Sequence, residues 1–200
     1  MRRKEQEYNT LIYLISDEPY RELVYEEIKV PYITNYYNNS FVVYSYSKSL
    51  SLPGERIGYV VIPNELEQSE EMINAVTISN RIIGCVNAPS LMQRVISKCL
   101  DIKTDIEAYR KNRDLLCEIL RKNNFEFVKP QGAFYLFVKT PIENDKEFCN
   151  IAKQYNLLFV PGSSFSCEGY VRIAYCVSYD MIKKSEDAFT KLSEEKLWKK

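Results

Sequence analysis

One lysine stands among hydroxyls at the end of an apolar run. Phe41-Val42-Val43-Tyr44 leads into Ser45-Tyr46-Ser47-Lys48-Ser49, and Leu52-Pro53-Gly54-Glu55-Arg56-Ile57-Gly58 follows. A lysine amine acts as a covalent catalyst by condensing with carbonyls to form Schiff bases. Hydroxyls and an arginine gathered beside it are built to hold an anion. Such a strand end suits a ligand that carries both an aldehyde and a phosphate, as pyridoxal phosphate does. A bare Ser-x-Ser-Lys would read as a surface lysine with a Pro-Gly turn behind it. The continuation adds an arginine and a further glycine, Arg56 and Gly58.

Two other segments carry chemistry of a matching kind. Leu11-Ile12-Tyr13-Leu14-Ile15 reads as a buried strand of a parallel sheet and ends in Ser16-Asp17-Glu18-Pro19-Tyr20. Ligands of open α/β sheets sit at the carboxyl ends of strands, which draws attention to Asp17 and Tyr20. Alone, Asp17 would be a helix N-cap before Glu18-Pro19. Near the C-terminus, Val160-Pro161-Gly162-Ser163-Ser164-Phe165 precedes Gly169-Tyr170-Val171-Arg172-Ile173-Ala174. The planar fork of Arg172 could meet a carboxylate through two parallel hydrogen bonds, or the residue could be an exposed cation on an edge strand.

Taken in order, these segments resemble the class I and II aminotransferases, the fold-type I pyridoxal-phosphate enzymes. The resemblance implies that Lys48 binds the cofactor aldehyde and shuttles a proton between substrate carbon and cofactor. It implies that Ser45 and Arg56 hold the phosphate, with Ser47 also among the cofactor-binding residues. Asp17 would pair with the protonated ring nitrogen, and Tyr20 would bond the ring hydroxyl. Arg172 would clamp the substrate α-carboxylate. Pro130-Gln131-Gly132-Ala133-Phe134-Tyr135 also resembles a family segment, one assigned to structure. Arg81 is placed near a position where some aspartate-specific relatives bind a distal carboxylate, but its register is shifted by a residue and a solvated helix arginine is the preferred reading.

The fold expected by resemblance is α/β. Residues 1–110 would be the C-terminal part of a large, mostly parallel-sheet domain that binds the cofactor, and residues 111–200 a small α+β domain. The pattern predicts strands at 11–15, 41–46, 57–62, 125–128, 133–138, 157–160 and 170–177. It predicts helices at 19–26, 65–83, 88–123 with a break near 101–104, 145–155 and 179–198, and a capping box at Thr104-Asp105-Ile106-Glu107. A whole enzyme of this family is about twice as long, so the chain is expected to lack the segment before the Asp-x-x-Tyr strand. Weak cofactor binding is expected in consequence, along with either a homodimer or association with an N-terminal half over an exposed apolar surface.

Composition narrows the remaining choices. A 46% hydrophobic chain of 200 residues can bury a sizeable core. The balance of 27 basic and 27 acidic residues gives no electrostatic case for nucleic acid or an anionic membrane. No apolar stretch reaches the ~20 residues of a membrane span. The six cysteines are scattered and there is no histidine, which argues against zinc and against imidazole-based triads. Reduced thiols in a cytoplasmic protein are the expectation. The expected activity is amino transfer from an amino acid to a 2-oxo acid. A C–S lyase of the same fold and an inactive fragment are the alternatives.

Overall fold

Phe41, Val42 and Tyr44 are buried, and the strand that carries them organises everything around the lysine. In the computed structural model, which describes residues 1–195, this strand, β2 (Ser40–Ser45), is the centre of a three-stranded sheet. On one side β1 (Leu14–Asp17) runs parallel to it, with Leu14 opposite Ser40 and Asp17 opposite Val43. On the other, β3 (Gly58–Val61) runs antiparallel, with Gly58 opposite Ser45. A central strand buried on both faces reads as a continuous apolar run, whereas β1 alternates half-buried and exposed residues. The short helix α2 (Tyr46–Ser49) continues directly from β2.

The same unit contains α1 (Arg2–Tyr8), α3 (Ser69–Ile82) and α4 (Ser90–Ile96). Helix α1 is tied down through Glu5, whose carboxylate accepts from the Ile12 N–H at 3.1 Å and the Tyr37 hydroxyl at 2.6 Å. The Tyr37 hydroxyl also lies within bonding distance of the Ile12 carbonyl, at 2.5 Å. With the backbone of Ile12 held by side chains, the strand predicted at 11–15 begins at Leu14 and runs on through Asp17. Helix α3 buries none of its residues, and Ile73, Ile78 and Ile82 on it are exposed.

The chain divides into two compact units, Met1–Leu23 with Glu27–Thr104, and Val24–Glu26 with the residues from Asp105 onward. The small insertion explains why no helix forms over 19–26. Val24 bridges to Gly132, the Tyr25 N–H donates to the Gln131 carbonyl at 3.0 Å, and the Tyr25 hydroxyl donates to the Ala133 carbonyl. Tertiary bonds at long sequence separation have overridden the local helix signal. Arg113, 2% exposed, underpins this arrangement: its guanidinium packs 4.5 Å from the Tyr25 ring centre and donates to the Pro130 carbonyl at 3.0 Å.

The second unit is an antiparallel sheet in the order β4-β6-β5, made by β4 (Tyr135–Lys139), β5 (Val160–Pro161) and β6 (Tyr170–Ala174). Its helices are α5 (Ile106–Lys122), α6 (Asp145–Gln154), α7 (Tyr179–Lys184) and α8 (Glu186–Ser193). Leu120, Leu136, Val138, Phe148, Val171 and Leu192 are wholly shielded from solvent and form its core. The strand predicted near 125–128 reduces to an isolated bridge between Phe127 and Val138. The helix predicted over 88–123 is split into α4 and α5. Asp105, not Thr104, caps α5, accepting from the Ala108 N–H at 3.0 Å. Thr104 instead donates its hydroxyl to the Ser49 carbonyl. The last predicted helix is interrupted at Ser185, and its expected end at Trp198, like the basic tail at 196–200, lies outside the described residues.

Candidate active site

Six of the seven predicted site residues fall in the first unit, on the carboxyl ends of β1 and β2 and the turn after α2. Asp17 is the last residue of β1, and its parallel pairing with Val43 sets it level with the strand that becomes the lysine turn two residues later. Ser45 caps α2: its hydroxyl accepts from the Ser47 N–H at 3.2 Å and lies 2.8 Å from the Ser47 hydroxyl. This cap stops the extended strand and turns the chain so that Lys48 emerges one turn later. The Lys48 amine lies 5.8 Å from the centre of the Tyr20 ring, so the turn after β1 and the turn after β2 converge. Ser45, Ser47 and Lys48 are half-buried, and Asp17 is exposed.

Arg56 follows the Pro53–Glu55 turn and takes a left-handed conformation, φ 52° and ψ 50°. One guanidinium nitrogen donates to the Pro53 carbonyl at 2.9 Å. A guanidinium has five N–H donors, and among the described residues the others meet no acceptor. Gly58 is required where it stands. A Cβ there would lie 2.2 Å from the Tyr44 carbonyl oxygen, on the strand that carries the lysine turn. Tyr44 in turn donates its hydroxyl to Ser49 at 2.7 Å, and burial pushes its phenol well above the ordinary range.

The seventh residue, Arg172, belongs to the second unit. It sits on β6 opposite Phe137, and its guanidinium carbon lies 4.4 Å from the Tyr135 ring centre and 4.6 Å from that of Phe165. Among the described residues no carboxylate is within ion-pair range of it. A half-buried guanidinium held by aromatic rings, with its donors uncommitted, has the geometry to accept a planar anion. Phe165 comes from the turn after β5, whose Ser163 N–H donates to the buried Asp145 carboxylate of α6 at 2.5 Å. Arg81 is exposed in the last turn of α3.

Sequence reasoning missed the side chains that hold the Asp17–Tyr20 turn. Glu18 and Arg21 form an ion pair at 2.5 Å there, with Ser16 donating to Glu18 at 2.8 Å. Their partners include carbonyls nine and ten residues further on, for which a sequence carries no periodic signal. Among the described residues no cluster of His, Cys, Asp or Glu could hold a metal ion, and no helix is long and apolar enough to cross a membrane.

Comparison with known proteins bears on the fold and the family. The family model for aminotransferase class I and II matches residues 6–188. The aspartate aminotransferase of Thermotoga maritima is 30% identical over 181 residues, which are 88% of this chain and 46% of that protein. An aromatic-amino-acid aminotransferase of Thermococcus litoralis is 26% identical over 198 residues, 92% of this chain and 49% of that protein. Among solved structures, an amino transferase from Eubacterium rectale superposes with a TM-score of 0.93 at 49% identity, covering 100% of this chain and 50% of that one. The chain spans about half the length of the relatives it matches, the C-terminal half. With its fold, its family-model match and its relatives in agreement, this chain belongs to the class I and II aminotransferase family.

Proposed function

We propose that the chain carries the lysine, the ring-nitrogen acid and the carboxylate-binding arginine of a pyridoxal-phosphate-dependent aminotransferase acting on an amino acid and a 2-oxo acid. The observation that carries this reading is the convergence of Tyr20 and Lys48 at the ends of two adjacent parallel strands, with Asp17 on the first. The donor set fits the cofactor. A guanidinium with open donors and two hydroxyls complement a phosphate, an amine complements an aldehyde, and a carboxylate and a phenol complement a hydroxypyridinium. When bound, pyridoxal phosphate supplies an aldehyde that condenses with amines and a ring that withdraws electrons from the substrate carbon.

The residues would share the work as follows. Arg56, Ser45 and Ser47 would bind the phosphate and so fix the ligand's register. Lys48 would hold the aldehyde carbon and, once displaced by a substrate amine, move the proton at the substrate α-carbon. Asp17 would keep a proton on the ring nitrogen, and Tyr20 would orient the ring through its hydroxyl. Arg172 would orient the substrate by its α-carboxylate. The exposed apolar residues of α3 support assembly with another polypeptide surface in the working enzyme.

The test is a titration of the purified chain with pyridoxal phosphate, followed by borohydride reduction and peptide mapping. A visible absorbance band, with label on Lys48 that is lost in Lys48→Ala, is the expected result. Label spread over surface lysines, equal in wild type and variant, would overturn the reading.

A further inference from the structure

Asp17 ends β1 and Tyr20 stands on the irregular turn that follows, where neither a helix nor a strand spans residues 18–21. What holds this turn is a network of side chains. The Glu18 carboxylate, on a side chain 9% exposed, accepts from the Ser16 hydroxyl at 2.8 Å and from the Arg21 guanidinium at 2.5 Å. Arg21 also donates to the carbonyls of Val30 at 3.0 Å and Pro31 at 2.8 Å, and its guanidinium carbon lies 4.8 Å from the Tyr32 ring centre. One planar cation thus ties the turn after β1 to the segment that leads towards β2. The Glu18 N–H completes the tie by donating to the Val43 carbonyl at 2.9 Å.

Two neighbouring carboxylates meet opposite fates here. Glu18 is neutralised by Arg21, while the Asp17 carboxylate has no hydrogen-bond or ion-pair partner among the described residues. Neutralising Glu18 leaves Asp17 as the uncompensated negative charge at the strand end, where a cationic ring nitrogen would be met. Spanning one carboxylate and two carbonyls needs the five fixed donors of a guanidinium, and a lysine ammonium cannot reproduce that geometry. We propose that Glu18 and Arg21 are positioning residues, which hold Asp17 and Tyr20 in register with Lys48 and make Asp17 the acid that faces the cofactor. This rests on the function proposed above.

The test compares Glu18→Gln and Arg21→Lys with Glu5→Gln, which loosens the same unit without touching residues 16–21. Two quantities are read: the affinity and pH midpoint of the Lys48–pyridoxal-phosphate absorbance band, and the amide exchange rates of Glu18 and Leu23. The expected result is an affinity loss of at least about tenfold, in the range seen when supporting partners of a site are removed. The pH midpoint should move, and exchange at both amides should quicken. Lysine should not rescue, and Glu5→Gln should leave all three readings near wild type. Wild-type affinity, midpoint and exchange in both variants, or changes no larger than those of Glu5→Gln, would overturn the proposal. If the wild-type chain forms no band, the proposed function fails, and the exchange rates alone decide: faster exchange in Glu18→Gln and Arg21→Lys supports positioning, and unchanged exchange removes it. Glu18→Gln keeps the side-chain shape and so serves where Arg21→Lys does not fold.

Discussion

Asp17 pairs in register with Val43, and this one pairing sets the distance from the acid on β1 to the lysine turn on β2. A parallel pair advances both strands in the same direction, so their ends arrive together. A slip of one residue would turn Asp17 to the opposite face of the sheet. The proposed chemistry therefore depends on a backbone register as much as on the side chains themselves, and the first prediction concerns what protects that register.

Gly58→Ala should spoil the lysine turn without touching any polar group. Its Cβ would meet the Tyr44 carbonyl oxygen at 2.2 Å and the Ser45 Cα at 3.2 Å, both backbone atoms that cannot swing aside. Separation of β2 from β3 is expected to cost about 3 kcal/mol, at the upper end for overpacking, and to abolish labelling of Lys48. Urea denaturation and peptide mapping would check both, and wild-type labelling in the variant would contradict the argument.

Arg172→Lys retains the positive charge and loses the two-point match to a carboxylate. A hydrogen bond to a charged group contributes about 1.5–3 kcal/mol, so 2-oxo-acid affinity should fall roughly 10- to 100-fold. Calorimetric titration of the variant against wild type would measure this. Equal affinities would place the carboxylate elsewhere.

Arg113→Met should destabilise the second unit by about 1–3 kcal/mol, the order expected when a buried polar group loses its hydrogen-bond partner. The Pro130 carbonyl would lose its donor and the Tyr25 ring its cation. Asp114, which accepts from Arg113 at 3.0 Å, suffers less, because Lys129 also contacts it at 2.8 Å. The observable is a lower urea midpoint for unfolding, and a midpoint equal to wild type would show that the network contributes little.

The anchor of α1 should be sensitive to acid. The Tyr37 hydroxyl, and after it the Ile12 N–H, hold the Glu5 carboxyl below its ordinary value. Burial pushes the Tyr37 phenol up to about 12, so it stays protonated as pH falls. A depressed carboxyl stabilises the fold fully above its unfolded value of about 4.3 and loses that contribution as pH drops through the lower folded value. The thermal midpoint of Glu5→Gln should thus lie below wild type near neutral pH, with the gap closing as pH falls below the ordinary carboxyl range. A gap that does not change with pH would show that the Glu5 charge is not what anchors the helix.

Much of the site was legible because its residues sit at element boundaries with short-range signals. Pro53-Gly54 is a turn and Asp17 ends an apolar run, so the positions of Asp17, Lys48 and Arg56 at element ends could be read from the sequence, while their roles rest on the resemblance. The fold was less readable wherever a distant partner outbid local preference. Residues 19–26 carry helix signals, yet Tyr25 bonds to Gln131 and Ala133. Thr104 looks like a cap, yet its hydroxyl is taken by Ser49 and Asp105 does the capping. The Glu18–Arg21 network escaped notice for the same reason, since two of its acceptors are backbone carbonyls that any sequence would offer.

The three residues Val24–Glu26, which leave the first unit for the second before the chain returns at Glu27, have a consequence for ancestry. The chain passes between the units at Leu23–Val24, Glu26–Glu27 and Thr104–Asp105, so no single splice point divides the gene into two modules. A fragment starting at Asp105 would come without Tyr25, leaving Arg113 without its ring and the Ala133 carbonyl with only the Tyr175 hydroxyl. Recombination that exchanged one unit alone would break this graft. The two units are therefore expected to be inherited together and to vary as a pair.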